Sequence, residues 1–296
     1  MAFARLQWRQ AHHFERLNNE LEEANSFLSS VSMKISKYLP PQIYKSIFSG
    51  EKDVVISTER KKLTIFFSDI KDFTLSTEHL QPEELTSLVN EYFSEMEVIA
   101  SNHGATVDKF IGDAILAFFG DPESKGVKQD ARACLNMAIA MQKRLIDLSA
   151  EWKARGIERP FMARMGINTG YCNVGNFGSS DRMDYTIIGA EANLAARLES
   201  IAEPGGIVIS YETYAQVRDM ISVTQLEPIT LNGITREIIP YKVENLFNED
   251  PVDKRVIIDV NDAGFRVFVD IEKLDQSGRD QAQRILSDTL KRIKNE

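Results

Sequence analysis

The order of predicted elements between residues 61 and 210 constrains the fold more than any other feature of the chain. An apolar run at 63–67 has the length of a buried strand, and a helix with one apolar face extends from Pro82 to Gly104. A strand pair within residues 106–119 and a second helix of the same kind follow. Strand, helix, hairpin, helix and strand predict an α+β fold of the ferredoxin-like type, an antiparallel sheet with helices on one face.

Shorter patterns fill the rest of this region. Residues 164–167 and 185–188 have the composition of strands, and residues 192–200 have a helical pattern. The segment NTG at 168–170 is typical of a turn. We therefore expect the strand that begins near residue 164 to end before residue 168.

The N-terminal segment carries apolar residues at alternating spacings of three and four. This narrow seam predicts a parallel coiled coil within residues 1–39, and the alternative is a single amphipathic helix that packs on its own domain. The seam consists of Phe14, Leu17, Leu21, Ala24, Leu28, Val31, Ile35 and Tyr38.

Two prolines at 40 and 41 end the coiled-coil pattern, and a short helix is expected at 42–48. The last part of the chain has a different pattern, a strand pair near residues 256–269 and a charged helix from about Gly278, to which the sequence assigns no role. We divide the chain into a coiled-coil or signalling helix at 1–39, a linker at 40–59, the α+β domain at 60–248 and an α/β extension at 249–296.

Composition excludes several classes of protein. The chain has 296 residues, a net charge of −9 and a pI near 5.2, and it has no local basic stripe, so a nucleic-acid partner is not expected. Cys134 and Cys172 have no CxxC partner, which argues against a disulfide framework and a structural zinc site. No apolar run reaches the roughly 20 residues of a membrane span, and no signal peptide is evident. We expect a cytoplasmic protein or the cytosolic part of a larger sensor protein.

Two carboxylates stand where strands end. Asp69 follows a buried-strand run, and Asp113 lies at a hairpin tip beside Gly112, which permits a tight turn. Carboxylates at adjacent strand ends can hold two hard divalent cations, the arrangement used in phosphoryl chemistry. Either residue alone is more often an ordinary acid of a turn.

Four motifs occur in a fixed order around these residues. The motifs are FFSDIKDFT at 66–74, KFIGDA at 109–114, RMGINTG at 164–170, and YTIIG at 185–189 with NLAAR at 193–197. Together they closely resemble the catalytic domain of the class III adenylate/guanylate cyclases, over about residues 60–247.

The resemblance implies a catalytic role for particular residues. Asp69 and Asp113 would bind two Mg²⁺ or Mn²⁺ ions, with the Ile70 carbonyl as a further ligand. Asn193 and Arg197 lie four apart on one helix and would orient the ribose and stabilise charge on the α-phosphate. The implied reaction converts a nucleoside triphosphate into its 3′,5′-cyclic monophosphate and pyrophosphate.

The resemblance also implies the base. Lys109 and Thr186 match the family's purine-recognition pair, in which Lys donates to N1 and Thr accepts from the 6-amino group of adenine. Guanine would leave the lysine unpaired, so ATP is the expected substrate. Phe73, Thr74 and Arg182 are further expected substrate-binding residues.

Two positions depart from the family pattern. Many relatives have Gly where Asp72 stands. A family Lys or Arg that holds the terminal phosphates has no clear match, because Ile239 occupies the aligned position. Arg236, Lys242 or Arg182 could replace it.

The family's two half-sites belong to different subunits. Lys109 and Asp113 come from one region of this chain, and Thr186, Asn193 and Arg197 from another, so the resemblance implies a C2 homodimer with shared sites. The coiled coil would support the dimer and could transmit a signal from an upstream sensor domain. The alternatives are a guanylate cyclase and an inactive cyclase-like module that regulates by dimerising.

Overall fold

The structure is a computed structural model, and it describes most of the chain. The described residues are 2–50, 55–73, 80–231, 234–244, 257–262 and 265–270, together with 278, 281, 282, 284 and 285. Within these ranges no helix has the length and apolar character needed to cross a lipid bilayer.

The described elements follow the predicted order closely. The helices are α1 (Ala2–Ile35), α2 (Pro41–Phe48), α3 (Pro82–His103), α4 (Val127–Ala154), α5 (Ala190–Ile201) and α6 (Tyr211–Val217), with a 3₁₀ turn at Ser36–Tyr38. The strands are β1 (Thr58–Ile70), β2 (Thr106–Ile111), β3 (Ala114–Phe119), β4 (Ala163–Gly178), β5 (Met183–Ile188), β6 (Ile207–Ile209), β7 (Val223–Gln225), β8 (Ile229–Leu231), β9 (Ile234–Ile238), β10 (Tyr241–Val243), β11 (Ile257–Asp262) and β12 (Phe265–Asp270).

One large sheet organises the domain. Its strand order is β2-β3-β1-β4-β6-β10-β7, and β5 pairs with β4 beside this path. Every pairing is antiparallel except that of β4 with β6, where Met165 lies opposite Ile207. The α+β fold is therefore confirmed, with one parallel pair in an otherwise antiparallel sheet. The predicted C-terminal strand pair is also present, as β11 and β12.

The two faces of the sheet are covered by different helices. On β1, Phe66 and Ile70 point into the large core that α3 and α4 cover, whereas Leu63 and Ile65 point to the opposite face. There they meet Ala195 of α5. The expectation of helices on one face is therefore wrong, because the buried β1 strand is apolar on both faces and needs a layer on each side.

β4 continues through the NTG segment that the sequence indicated as a turn. Thr169 is buried, and its hydroxyl lies 3.0 Å from that of Thr64 and 3.0 Å from that of Thr213. Asn168 is buried as well and donates to the Glu191 carbonyl at 3.0 Å. The turn prediction fails because neighbouring elements supply partners for the Thr169 hydroxyl and the Asn168 amide nitrogen inside the sheet, so the strand can continue.

The N-terminal helices differ in how they meet the domain. The predicted seam of α1 is solvent-exposed, with Phe14 74%, Leu21 59% and Leu28 63% exposed. In contrast, α2 is anchored, since Ile43 is buried and Gln42 donates to the Ala105 carbonyl at 3.0 Å. The helix is confirmed and its seam is not packed on this chain's own domain, while the coiled coil itself stays a prediction.

Candidate active site

Two adjacent strands bring Asp69 and Asp113 together. Asp69 lies one residue before the end of β1, and Asp113 occupies the turn between β2 and β3. Gly112 has a φ of 66° in that turn, a left-handed conformation that glycine adopts without strain. The Ile70 amide donates to Asp113 Oδ2 at 3.2 Å, which fixes the carboxylate against the end of β1.

The two carboxylates perturb each other. Burial raises the pKa of Asp113 to about 6, and both a hydrogen bond with Asp69 and the charge of Asp69 add to the rise. When both carboxylates are ionised they repel each other, which a cation between them would relieve, and carboxylate oxygens suit Mg²⁺ or Mn²⁺. Across the described ranges no group of three or more His, Cys, Asp or Glu side chains is arranged to hold a metal ion.

Arg164 and Glu199 complete an acidic cluster with Asp69 and Asp113. Arg164 Nη2 lies 3.1 Å from Asp69 Oδ2 and 2.8 Å from Glu199 Oε1. The second contact is not aligned as a hydrogen bond, and no described group donates one to Glu199 Oε1. Burial raises the pKa of Glu199 to about 7 although Arg164 opposes the rise. Sequence reasoning missed both residues, yet Arg164 was visible as the first residue of the RMGINTG motif.

A glycine in β4 sets the position of α5. A Cβ atom at Gly166 would lie 2.2 Å from the Ala195 carbonyl oxygen, so only glycine lets α5 approach this closely. Asn193 and Arg197 then lie on the exposed side of α5. In the part of the chain that the structure describes, no hydrogen bond or ion pair links either residue to Asp69 or Asp113.

A second group, the lysine–threonine cluster, consists of Asp108, Lys109 and Thr186. Thr186 Oγ1 donates to Asp108 Oδ2 at 2.5 Å, and Lys109 Nζ lies 3.5 Å from Asp108 Oδ1. The two residues that match the family's purine-recognition pair thus contact one carboxylate of the same chain. Assigning Lys109 and Thr186 to different half-sites is therefore wrong, because β2 and β5 approach each other within the chain.

The other expected substrate residues are spread over three places. The Phe73 ring is half-buried against Phe161, with 5.8 Å between ring centroids. Thr74 lies outside the described residues. Arg182 is exposed in the tight turn between β4 and β5, where its backbone amide donates a hydrogen bond to Ser179 Oγ at 3.2 Å.

Asp72 stands where many relatives have Gly, and its backbone conformation explains why both residues are tolerated. Its φ is 53°, in the left-handed region, and its carboxylate pairs with Lys71 at 2.8 Å. Glycine is the residue that most readily takes this conformation, and Asp is among the few others that tolerate it. The substitution therefore preserves the turn after β1.

Three residues could replace the family Lys or Arg that holds the terminal phosphates, and the structure describes the side chains of two of them. Lys242 is engaged, since its Nζ lies 2.6 Å from Glu203 Oε2. Arg182 has no described side-chain partner, and the side chain of Arg236 lies outside the described residues. Arg164 is a fourth cation, and among these residues it is the one in contact with Asp69.

A cavity of about 270 Å³ lies elsewhere, between α2 and the ends of β1, β4 and β5. Its lining includes Asp121, which is 2% exposed and accepts from Lys61 at 2.5 Å and from Tyr185. None of the expected site residues lines it.

The chain has clear relatives among proteins of known sequence. The family described as the adenylate and guanylate cyclase catalytic domain matches residues 55–245. Adenylate cyclase 1 of Rhizobium meliloti is 29% identical over 229 residues, which cover 77% of this chain and 33% of that protein. The chain thus spans about a third of that relative's length.

Solved structures with the same fold include both kinds of nucleotide cyclase. The adenylyl cyclase CyaB from P. aeruginosa is 52% identical with a TM-score of 0.62, covering 64% of this chain and 97% of that one. The guanylyl cyclase Cya2 is 34% identical with a TM-score of 0.60, covering 64% and 94%. A bacterial light-regulated adenylyl cyclase is 27% identical with a TM-score of 0.64, covering 75% and 64%. This chain belongs to the class III adenylate/guanylate cyclase catalytic domain family.

Proposed function

We propose that this chain is an adenylate cyclase that converts ATP into 3′,5′-cyclic AMP and pyrophosphate. The observation that carries the choice of base is the meeting of Lys109 and Thr186 on the Asp108 carboxylate. Lys109 offers hydrogen-bond donors to N1 of adenine, and Thr186 offers an acceptor to the 6-amino group. The relatives leave this choice open, because adenylyl and guanylyl cyclases both resemble the chain.

We propose that Asp69 and Asp113 hold two Mg²⁺ or Mn²⁺ ions, with Ile70 as a further ligand through its carbonyl oxygen. The raised pKa of Asp113 beside Asp69 supports this role, since the pair lacks sufficient positive charge of its own. When bound, two such ions supply Lewis-acid activation of the ribose 3′-hydroxyl and neutralise the triphosphate. Arg164, in contact with Asp69, lies where a guanidinium can meet phosphate oxygens.

The chain's own residues position the reacting atoms. Lys109 and Thr186 fix the base. Phe73, Thr74 and Arg182 are proposed as further substrate-binding residues because of the resemblance to the family. Asn193 would orient the ribose so that its 3′-oxygen faces the α-phosphorus in line with the departing pyrophosphate. Arg197 would stabilise the charge that develops on the α-phosphate.

We propose that each site is shared by two copies of the chain. Asn193 and Arg197 are exposed and make no described contact with the two aspartates, which supports a site that a second copy completes. The exposed seam of α1 gives this copy a parallel partner helix. We further propose that residues 1–39 couple the domain to a sensor, that residues 40–59 link them, and that residues 60–248 form the catalytic unit, with 249–296 as an extension.

Mixing inactive chains tests the shared site. Asp69→Ala chains mixed with Asn193→Ala chains should regain up to about a quarter of wild-type activity, since half the dimers are mixed and each holds one intact site. Lys109→Ala chains should not complement Thr186→Ala chains, since both residues contact the Asp108 carboxylate of one chain. Rescue of Lys109→Ala by Thr186→Ala, or no rescue by any pair, would contradict the arrangement.

Product analysis tests the reaction itself. The wild-type chain is incubated with ATP and with GTP, each with Mg²⁺ and with Mn²⁺, and the cyclic nucleotides are quantified. We expect cyclic AMP as the main product. A larger yield of cyclic GMP would make the chain a guanylate cyclase, and the absence of both would leave the inactive regulatory module.

A further inference from the structure

Asp108 is a buried acid that the proposed reaction does not use. Its side chain is 1% exposed, and it lies in β2 between residues that pair with β3 in shifted register. Val107 lies opposite Ala117 and Lys109 lies opposite Leu116, so Asp108 is the extra residue of a β-bulge. A bulge re-aims side chains, which is why bulges recur beside functional sites.

The bulge brings Asp108 and Lys109 to one side of the sheet. In a regular strand these neighbours would point to opposite faces, yet Lys109 Nζ lies 3.5 Å from Asp108 Oδ1. No described group donates a hydrogen bond to Oδ1, which leaves this oxygen paired only through the charge of Lys109. The other oxygen, Oδ2, accepts the Thr186 hydroxyl at 2.5 Å.

The direction of that hydrogen bond matters. A threonine hydroxyl has one proton and two lone pairs, so alone it can either donate to a ligand or accept from one. An ionised carboxylate can only accept. Because Thr186 is 8% exposed and gives its proton to Asp108, it has only lone pairs left for a ligand.

Three contacts favour the ionised form of Asp108. Burial raises its pKa, and the Thr186 hydroxyl, the Lys109 ammonium and the Ile187 amide oppose that rise. Lys109 in turn stays a donor beside the carboxylate. The cluster therefore presents a fixed donor, Lys109, and a fixed acceptor, Thr186, to a ligand.

We infer that Asp108 is a positioning residue that determines base specificity, because it holds Thr186 as an acceptor and thereby selects adenine against guanine. Adenine offers a 6-amino donor and an N1 acceptor, which match Thr186 and Lys109. Guanine offers an acceptor at position 6 and a donor at N1, and both meet a group of the wrong kind. This inference rests on the proposed conversion of ATP at the same site.

The experiment compares kcat/KM for ATP and for GTP in the full-length chain. In Asp108→Ala the Thr186 hydroxyl is free to turn and donate to the guanine 6-oxygen, so the ATP/GTP ratio should fall at least about tenfold. Asp108→Asn keeps the side-chain volume, but its amide nitrogen can donate to Thr186, whereas the carboxylate can only accept. The ATP/GTP ratio of this variant should therefore fall by a smaller factor than that of Asp108→Ala. Asp130→Asn is the matched control, a buried acid near the start of α4 that should leave the ratio unchanged.

A double-mutant cycle separates positioning from simple loss of structure. Thr186→Ser keeps a hydroxyl and should keep the ratio, whereas Thr186→Val should lower it. In the Thr186→Val background, Asp108→Ala should change the ratio no further. An unchanged ratio in both Asp108 variants, or an equal effect of Asp108→Ala with and without the Thr186 hydroxyl, would overturn the inference.

The outcome is distinct from failure of the proposed function. If the wild-type chain forms no cyclic AMP from ATP, the proposed function itself is wrong. If it does, and the folded Asp108→Asn variant keeps the wild-type ratio while Asp108→Ala fails to fold, the inference alone is overturned. Thermal unfolding of each variant establishes that it is folded at the assay temperature.

Discussion

The acidic cluster and the lysine–threonine cluster balance charge in opposite ways. The acidic cluster holds three carboxylates and one guanidinium, and the pKa values of Asp113 and Glu199 are both raised. The lysine–threonine cluster holds one carboxylate, one ammonium and one hydroxyl, and each group has a partner. One region has too much negative charge, while the other is balanced within a single chain.

This difference suits two kinds of ligand. A site with excess negative charge gains most from added cations, and through them it can accept a polyanion such as a triphosphate. A balanced site of fixed donors and acceptors suits an uncharged base, which is recognised by hydrogen-bond pattern rather than by charge. Substitutions that remove one charge should therefore have opposite effects on stability in the two clusters.

Neutralising an acid of the acidic cluster should have the largest effect on activity. In Asp113→Asn we expect kcat to fall by about 10³-fold or more, because a proposed metal ligand is lost. In the metal-free protein the melting temperature should rise or stay constant, because the repulsion between Asp69 and Asp113 is removed. Cyclic AMP formation and thermal unfolding in chelator measure the two effects.

The matched control is Asp147→Asn, which removes an exposed acid of α4 and should change neither activity nor melting temperature. A clear fall in the melting temperature of metal-free Asp113→Asn would show that the carboxylate stabilises the fold. The acidic cluster would then resemble the lysine–threonine cluster, and the comparison would fail.

The sequence predicts these two regions unequally. The Asp113 turn could be predicted because Gly112 interrupts two apolar strands, and Asp69 because it ends a buried run. Arg164 joins Asp69 only through the register of β1 with β4, in which the two residues lie opposite each other. Glu199 joins the cluster only because α5 approaches β4 closely, which Gly166 permits. Neither condition leaves a local pattern in the sequence.

The lysine–threonine cluster shows a second limit of sequence reasoning. The family motifs single out Lys109 and Thr186 but not Asp108, because a one-residue bulge is needed to turn Asp108 toward Lys109. Similarly, an apolar helix stripe does not reveal which face of the sheet it covers. The expectation of helices on one face therefore misplaces α5. The turn prediction at 168–170 fails for another reason, because Asn168 and Thr169 find partners on neighbouring elements.

Removing the cation of the lysine–threonine cluster should have an intermediate effect. In Lys109→Met we expect kcat/KM for ATP to fall by roughly 10- to 100-fold, because N1 of adenine loses its proposed donor. The protein should also lose about 1 kcal/mol of stability, since Asp108 stays buried without its neighbouring charge. Chemical denaturation and initial rates measure the two effects.

The control is Lys143→Met, which changes an exposed side chain on α4. A gain in stability in Lys109→Met would break the contrast between the clusters.

The smallest expected effect is a change in how stability depends on pH. Glu199 has an ordinary pKa of 4.5 and a folded pKa of about 7, so the folded state binds its proton more tightly than the unfolded state. Its contribution is therefore fully present below about pH 4.5 and is lost as the pH rises through about 7. Glu199→Gln stays neutral and should equal the wild type in acid but exceed it by roughly 1–3 kcal/mol above neutral pH.

Chemical denaturation of the metal-free chain across this pH range tests the difference. Asp113 shares the direction of the pKa shift, so the variant should keep part of the wild-type slope rather than become flat. Glu158→Gln, at an exposed position, is the matched control and should follow the wild-type curve. If Glu199→Gln instead lost stability at alkaline pH, the ion pair of Glu199 with Arg164 would outweigh the burial of its charge. The acidic cluster would then be balanced from within, and added cations would not be needed to explain it.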